Sequence, residues 1–211
     1  MSPEPTYDVA VLGGGNAALC AALSAREQGA SVLVLERAPE EKRGGNSAFA
    51  GGGMRIVYRG VEDIRKYIEL SEHEIANTDF GEYTREQYLD TLGRVTQYRC
   101  DPDLTENFVN HSAETVLWLR NKGVRYVPHY GRSAIQHQGR FKFFGGAVLE
   151  VSGGGRGLVE TEYKLVEKNR IEVRYNTRAT SLLRGFSGVE GVRLIAANGR
   201  EEEIRAKAVI L

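Results

Sequence analysis

Apolar residues first gather at positions 7–12, where Tyr7, Val9, Ala10, Val11 and Leu12 make a short run fit for a parallel strand buried on both faces. Over 17–27 the pattern shifts to helical spacing, with Ala18, Leu19, Ala22 and Leu23, and Gly29 ends it. A second apolar run, 31–36, closes on Glu36. Strand, helix and strand in about thirty residues predict a βαβ unit, which forces the two strands parallel.

Residues 61–122 read differently. The stretches 61–76, 84–98 and 102–122 each carry apolar residues three and four apart and predict three helices, an inserted helical layer. A short strand is expected at 124–127, and 128–155 reads as loop with room for short strands. Helical spacing returns at 158–168 and strand character at 171–175, so a second strand–helix–strand element is expected. From Thr180 three runs follow, the last two joined by Asn198-Gly199, and they predict a three-stranded antiparallel meander. A further apolar strand opens at Lys207 and the sequence stops at Leu211. A parallel core strand with nothing after it reads as the end of a fragment. The predicted fold class is α/β, a Rossmann-type domain with a parallel sheet, an antiparallel β-meander and a helical insertion. Its expected segments are 1–59, 60–150 and 151–211.

Composition narrows the choice by exclusion. Among 211 residues, Lys+Arg and Asp+Glu both total 28, so no basic excess points to nucleic acid and no charged block to an interaction tail. The apolar runs are too short to span a membrane, and the first residues lack the shape of a signal peptide. Cys20 and Cys100, the only cysteines, read as reduced and structural. A cytoplasmic protein without direct membrane insertion is expected. Glycine, 25 residues, is the one excess, and it clusters.

The first cluster is Gly13-Gly14-Gly15-Asn16-Ala17-Ala18, set between the first strand and the first helix. Gly13 permits the tight turn, Gly15 lets amides approach a pyrophosphate, and Ala18 is the small third position that lets helix and sheet pack closely. With Asn16 and Ala17, these residues would hold phosphates on the free amides and positive end of the helix. Glu36 stands about twenty residues on, where an acid accepts from ribose hydroxyls, and it disfavours a 2′-phosphate. A plain strand-to-helix turn would need neither the acid nor its position.

The second cluster, Gly44-Gly45-Asn46-Ser47-Ala48-Phe49-Ala50-Gly51-Gly52-Gly53, offers a run of amides that could wrap a flat ring and its ribityl chain. Composition alone allows a flexible surface loop equally well. Taken with Gly13–Ala18 and Glu36, however, the segment resembles the flavoprotein subunits of the fumarate reductase and succinate dehydrogenase family. The wording of both clusters is most similar to the tricarballylate dehydrogenase branch. The resemblance resumes at Asn176-Thr177-Arg178-Ala179 and is loose over 60–150.

That resemblance implies a Rossmann-type FAD-binding domain, with 1–59 the βαβ unit and flavin loop, and 151–211 the return to it with the meander. It implies FAD, with Ala17 against the phosphates and Glu36 on the adenosine ribose. Gly45, Asn46, Ser47, Gly52 and Gly53 would lie on the flavin side, and Ala179 would meet the adenine through its backbone. Where membrane-bound succinate dehydrogenases carry a flavin-linked histidine, this chain has Asn46, which cannot form that bond, so non-covalent FAD is expected. The implied activity is oxidation or reduction of a CH–CH bond beside carboxylates, as in tricarballylate or fumarate/succinate. A small carboxylate substrate and an electron-transfer partner follow from it. Catalytic residues in that family would lie after Leu211, so none is named. A dehydrogenase acting on ketosteroids and a cofactor-binding fragment without catalysis are the alternatives.

Other chemistry-bearing residues are read conservatively. His73, His111, His129 and His137 have no metal-ligand spacing, so no metal site is expected. Arg55 could clamp a carboxylate but reads first as a surface arginine. Ser152-Gly153-Gly154-Gly155-Arg156-Gly157 is either an anion loop or a helix start. Trp118, Phe141, Phe143 and Phe144 read as core.

Overall fold

A computed structural model describes residues 6–186 and 188–211. In chain order the elements are β1 (Thr6–Leu12), α1 (Asn16–Glu27), β2 (Val32–Leu35), β3 (Gly53–Arg55), α2 (Val61–Ile64), α3 (Glu72–Asn77), β4 (Thr78–Asp79), α4 (Arg85–Val95) and α5 (Pro102–Asn121). They continue with β5 (Tyr126–Pro128), α6 (Tyr130–Ser133), β6 (Ala134–His137), β7 (Arg140–Phe143), β8 (Val148–Val151), α7 (Gly154–Lys168), β9 (Glu172–Arg174), β10 (Arg178–Gly185), β11 (Gly188–Ile195) and β12 (Glu201–Ile210). The chain divides into two compact units, one made of residues up to Ala50 with Gly155–Leu211, the other of Gly51–Gly154.

The first unit carries the six-stranded sheet β10-β11-β12-β1-β2-β9. β1 pairs parallel with β2 through its apolar stretch Val9–Leu12, as the intervening helix requires, and every residue of β2 is buried. β9 extends the parallel part on the far side of β2. The meander is present, with β11 antiparallel to both β10 and β12. Leu33 and Leu35 of β2 share one core cluster with Val192 and Leu194 of β11 and Ile204 of β12, so the meander packs on the parallel strands. Gly191 is a requirement here: its φ is +150°, and a methyl would overlap the backbone carbonyl of Ile204 across the sheet.

Two expectations for this unit need correction. The meander's third run and the apolar strand from Lys207 are one strand, β12. It pairs antiparallel with β11 through Glu201–Arg205 and parallel with β1 through Arg205–Ile210, and Arg205 faces both Gly191 and Thr6. The charged run before Lys207 hides this continuity because its outward side chains break the apolar pattern. The second strand–helix–strand element also fails as a unit, since β8 lies in a three-stranded sheet with β3 and β5, whereas β9 joins the six-stranded one.

The second unit is less helical than its apolar spacing predicts. The stretch 61–76 holds two short helices, because Ser71 and Glu74 form a capping box that starts α3 afresh. α4 and α5 form as expected, each with a side-chain cap, from Thr84 and Asp101. Arg85 at the start of α4 bonds Asn110 and Glu106 on α5. The stretch left as loop contains α6 and strands β6–β8, and the second small sheet has the order β4-β7-β6. Its core includes Phe80 stacked on Phe143, and the Tyr58 hydroxyl donates to Phe80 O and accepts from Ala147 N. Phe143 is buried, but Phe141 and Phe144 are exposed, so the aromatic trio is core at one position only.

Candidate dinucleotide site

The chain leaves β1 through Gly13, at φ +104°, whose amide donates to Leu35 O at 2.9 Å. No atom lies within 4 Å of where a Gly13 side chain would begin, so the turn opens on free space. Gly15 stands at the N-cap of α1 with extended backbone and no side chain of its own to cap the helix, and no acidic residue sits in the first turn. Beyond the Asn16 amide, which Ser47 Oγ takes, the first-turn amides face an anion with the helix's positive end behind them. Ala17 is exposed on that turn.

The second glycine cluster closes on the first. Ser47 Oγ accepts the Asn16 amide at 3.1 Å, and a side chain on Gly15 would begin 3.3 Å from that oxygen. The loop forms a short 3-10 turn, Gly45–Phe49, entered by Gly44 at φ +105°. Gly155, at the start of α7, lies against this turn: its amide donates to Ala50 O, and a methyl on it would overlap the Ser47 carbonyl. The Ser152–Gly157 stretch is thus a helix start that packs on the loop. Asn46 and Phe49 are exposed.

Glu36 is buried at the end of β2. Its main chain is fixed on both sides, its amide donating to Arg174 O and its carbonyl accepting from Thr177 N, each at 2.9 Å. Its Oε1 accepts the Ala38 amide at 2.7 Å, and Oε2 lies beside Gly14, 2.6 Å from where a Gly14 side chain would begin. The Thr177 bond and the Asn176 amide, donating to Ala38 O, bring the 176–179 segment to the same strand end. Ala179 follows on β10, packed against the Leu33–Ile204 cluster.

The first unit therefore joins Gly13, Gly15, Asn16, Ala17, Glu36, Gly45, Asn46, Ser47 and Ala179 within one sheet and its loops. Gly52 and Gly53 belong to the second unit, where Gly52 O accepts from Val151 N and Gly53 pairs with Glu150. First-turn amides that can donate, absent side chains at Gly13 and Gly15, and a buried carboxylate at the strand end that can accept together fit a dinucleotide.

Three groups at this site escape a sequence reading. Tyr163 on α7 donates from its hydroxyl to Gly14 O at 3.0 Å, and burial pushes its pKa up. The Arg43 guanidinium lies 4.1 Å from the centre of that ring and donates to the Tyr175 hydroxyl. Glu162, also on α7, is wholly buried beside Cys20. A charged residue on the apolar face of the predicted 158–168 helix was the available signal for Glu162; Tyr163 and Arg43 had none.

Elsewhere, His73 and His111 sit on exposed helix faces, and His137 is exposed in β6. His129 Nδ1 lies 3.1 Å from Glu150 Oε2. The Arg55 guanidinium lies over the Tyr83 ring, and Trp118 is half-buried beside Lys122. Among the described residues no group of His, Cys, Asp or Glu is placed to hold a metal, and no helix is long and apolar enough to cross a membrane.

The profile of the family described as FAD binding domain matches residues 8–211. A fumarate reductase (cytochrome) of Shewanella frigidimarina is 29% identical over 213 residues, which is 100% of this chain and 33% of that protein. The open conformation of a flavocytochrome c3 fumarate reductase superposes with a TM-score of 0.74 at 23% identity, over 100% of this chain and 34% of that one. A 3-ketosteroid-Δ4-(5α)-dehydrogenase from Rhodococcus jostii RHA1 gives 0.72 at 21% identity, over 97% and 45%. The chain thus spans about a third of the length of the fumarate reductase it matches.

Proposed function

Because the chain belongs to the FAD binding domain family, we propose that it holds FAD without a covalent bond, for an oxidoreductase acting on a CH–CH bond beside carboxylates. The observation that carries this reading is the Ser47–Asn16 bond, which ties the flavin loop to the first turn of α1. Gly13, Gly15 and Ala17 leave room at that turn for the pyrophosphate, whose charge the α1 amides and dipole would meet. Glu36, fixed by Ala38, Arg174 and Thr177, would accept from the adenosine ribose. Ala179 would present its backbone to the adenine. Asn46, exposed on the loop, lacks a nucleophile able to bond the flavin, which supports non-covalent binding. When bound, the flavin supplies the hydride chemistry, and the protein supplies placement and electrostatics.

The relatives support a carboxylate as the substrate class. The Shewanella protein is a fumarate reductase, and the resemblance of the glycine clusters to the tricarballylate dehydrogenase branch suggests tricarballylate as the carboxylate substrate here. An electron-transfer partner would close the cycle. The test is an absorption spectrum of the purified protein, then acid precipitation. Bound flavin that leaves the pellet supports the reading; a chain that takes up no FAD overturns it. Flavin bleaching with a panel of tricarballylate, succinate and a 3-ketosteroid separates the substrates. A response to the steroid alone would replace the carboxylate reading.

A further inference from the structure

Beneath α1 lies a carboxyl group that cofactor binding does not use. Glu162 is fully buried on the face of α7 formed by Leu158, Val159 and Val166, and among the described residues its Oε2 has no hydrogen-bond partner. Its Oε1 lies 3.4 Å from Cys20 Sγ, and that sulfur lies 3.5 Å from Asn16 Oδ1. Asn16 is the first residue of α1, with its amide on Ser47. A line of three side chains therefore runs from the core to the turn that faces the phosphates.

The titratable and charged groups around Glu162 are Cys20 from α1, Tyr163 on its own helix and, beyond the Tyr163 ring, Glu36 and Arg43. None acting on its carboxyl is a cation; burial pushes it up to about 7, and only the Cys20 thiol opposes. A buried carboxylate with a bare oxygen is costly, whereas the neutral acid leaves only a carbonyl oxygen unpaired. In the neutral form the Glu162 hydroxyl donates to Sγ and the Cys20 S–H donates to Asn16 Oδ1. On loss of that proton to solvent, the single S–H turns to the carboxylate and Asn16 loses its donor.

We propose that Glu162 is a positioning residue for the phosphate end of the cofactor: as a neutral acid it holds Asn16 through Cys20, and as a carboxylate it releases Asn16 and places a negative charge behind the phosphate site. This rests on the placement of FAD at α1. FAD affinity is then highest at low pH and falls as Glu162 ionises near pH 7.

The experiment is FAD binding by fluorescence quenching across pH, in the wild type and in Glu162→Gln, whose amide can still donate to sulfur. The wild-type Kd should rise about tenfold between about pH 6 and pH 8. The variant should stay near the low-pH value throughout. Equal pH profiles in the two proteins would overturn the proposal while leaving FAD binding intact. A wild type that takes up no FAD at any pH overturns the cofactor reading instead. In that case infrared spectra of the cofactor-free protein still judge the relay. A protonated-carboxyl band should disappear with rising pH together with a shift of the Cys20 S–H band, and both changes should be absent in Glu162→Gln. No such band at low pH sinks the idea.

Discussion

Changing Glu36 to glutamine keeps an oxygen for the Ala38 amide but removes the charge that a ribose hydroxyl would meet. Hydrogen bonds to charged groups contribute about 1.5–3 kcal/mol, so Glu36→Gln should weaken FAD binding by roughly 10- to 100-fold with little loss of stability. Equilibrium dialysis checks this, and unchanged affinity would remove Glu36 from the site. Gly14→Ala acts differently: its methyl would overlap the Tyr163 hydroxyl and crowd Glu36 Oε2. A loss of about 1–3 kcal/mol is expected from such overpacking, measured as a lower denaturant midpoint. Gly13, Gly15 and Glu36 were legible because each answers a local demand, a turn or a fixed spacing along one strand–helix–strand unit. Tyr163 and Arg43 were not, because their roles exist only once α7 returns to the first glycine turn more than a hundred residues later.

At the scale of elements, α7 positions the Gly44–Ala50 loop through Gly155, whose amide bonds Ala50 O. A methyl there would overlap the backbone carbonyl of Ser47, which cannot rotate away as a side chain can. Gly155→Ala should therefore displace the loop and cost at least about 2 kcal/mol, with FAD uptake lost even where the protein stays folded. Circular dichroism melting and flavin content separate the two effects. The periodicity located α1, α4, α5, α7 and the meander well, since each is long enough for its period to show. It missed the break within 61–76, although Ser71 and Glu74 spelled the capping box. It also missed β6–β8, whose four residues each are too few to display an alternation.

For the molecule as a whole, Glu162 ties stability to pH. Its carboxyl is raised from 4.5 to about 7 by burial, so the folded state holds a proton that the unfolded chain releases. Stability is then fullest below pH 4.5 and declines as pH rises to about 7, by on the order of 3 kcal/mol from this group. Asp8 is shifted the other way, held low first by Lys207 and then by Ser31, and its contribution is lost only on strong acidification, outside that window. Urea midpoints at pH 5 and pH 8 should differ in the wild type and converge in Glu162→Gln, once Asp8 is left untouched. Equal midpoints in the wild type would mean that the carboxyl is solvated.

β12 has a consequence in time. β1, which leads into the first glycine turn, takes one neighbour from Val32–Leu35 and the other from Arg205–Ile210. A ribosome adding about 5–20 residues per second leaves β1 half-paired for tens of seconds while the intervening chain is made. During that wait the apolar edge of β1 is open to a wrong strand or a chaperone. FAD cannot rescue the early chain, because its first glycine turn has no finished sheet beneath it. Nascent chains arrested before Glu201 should therefore stay protease-sensitive and flavin-free, and emergence of β12 should bring protease resistance and flavin uptake together.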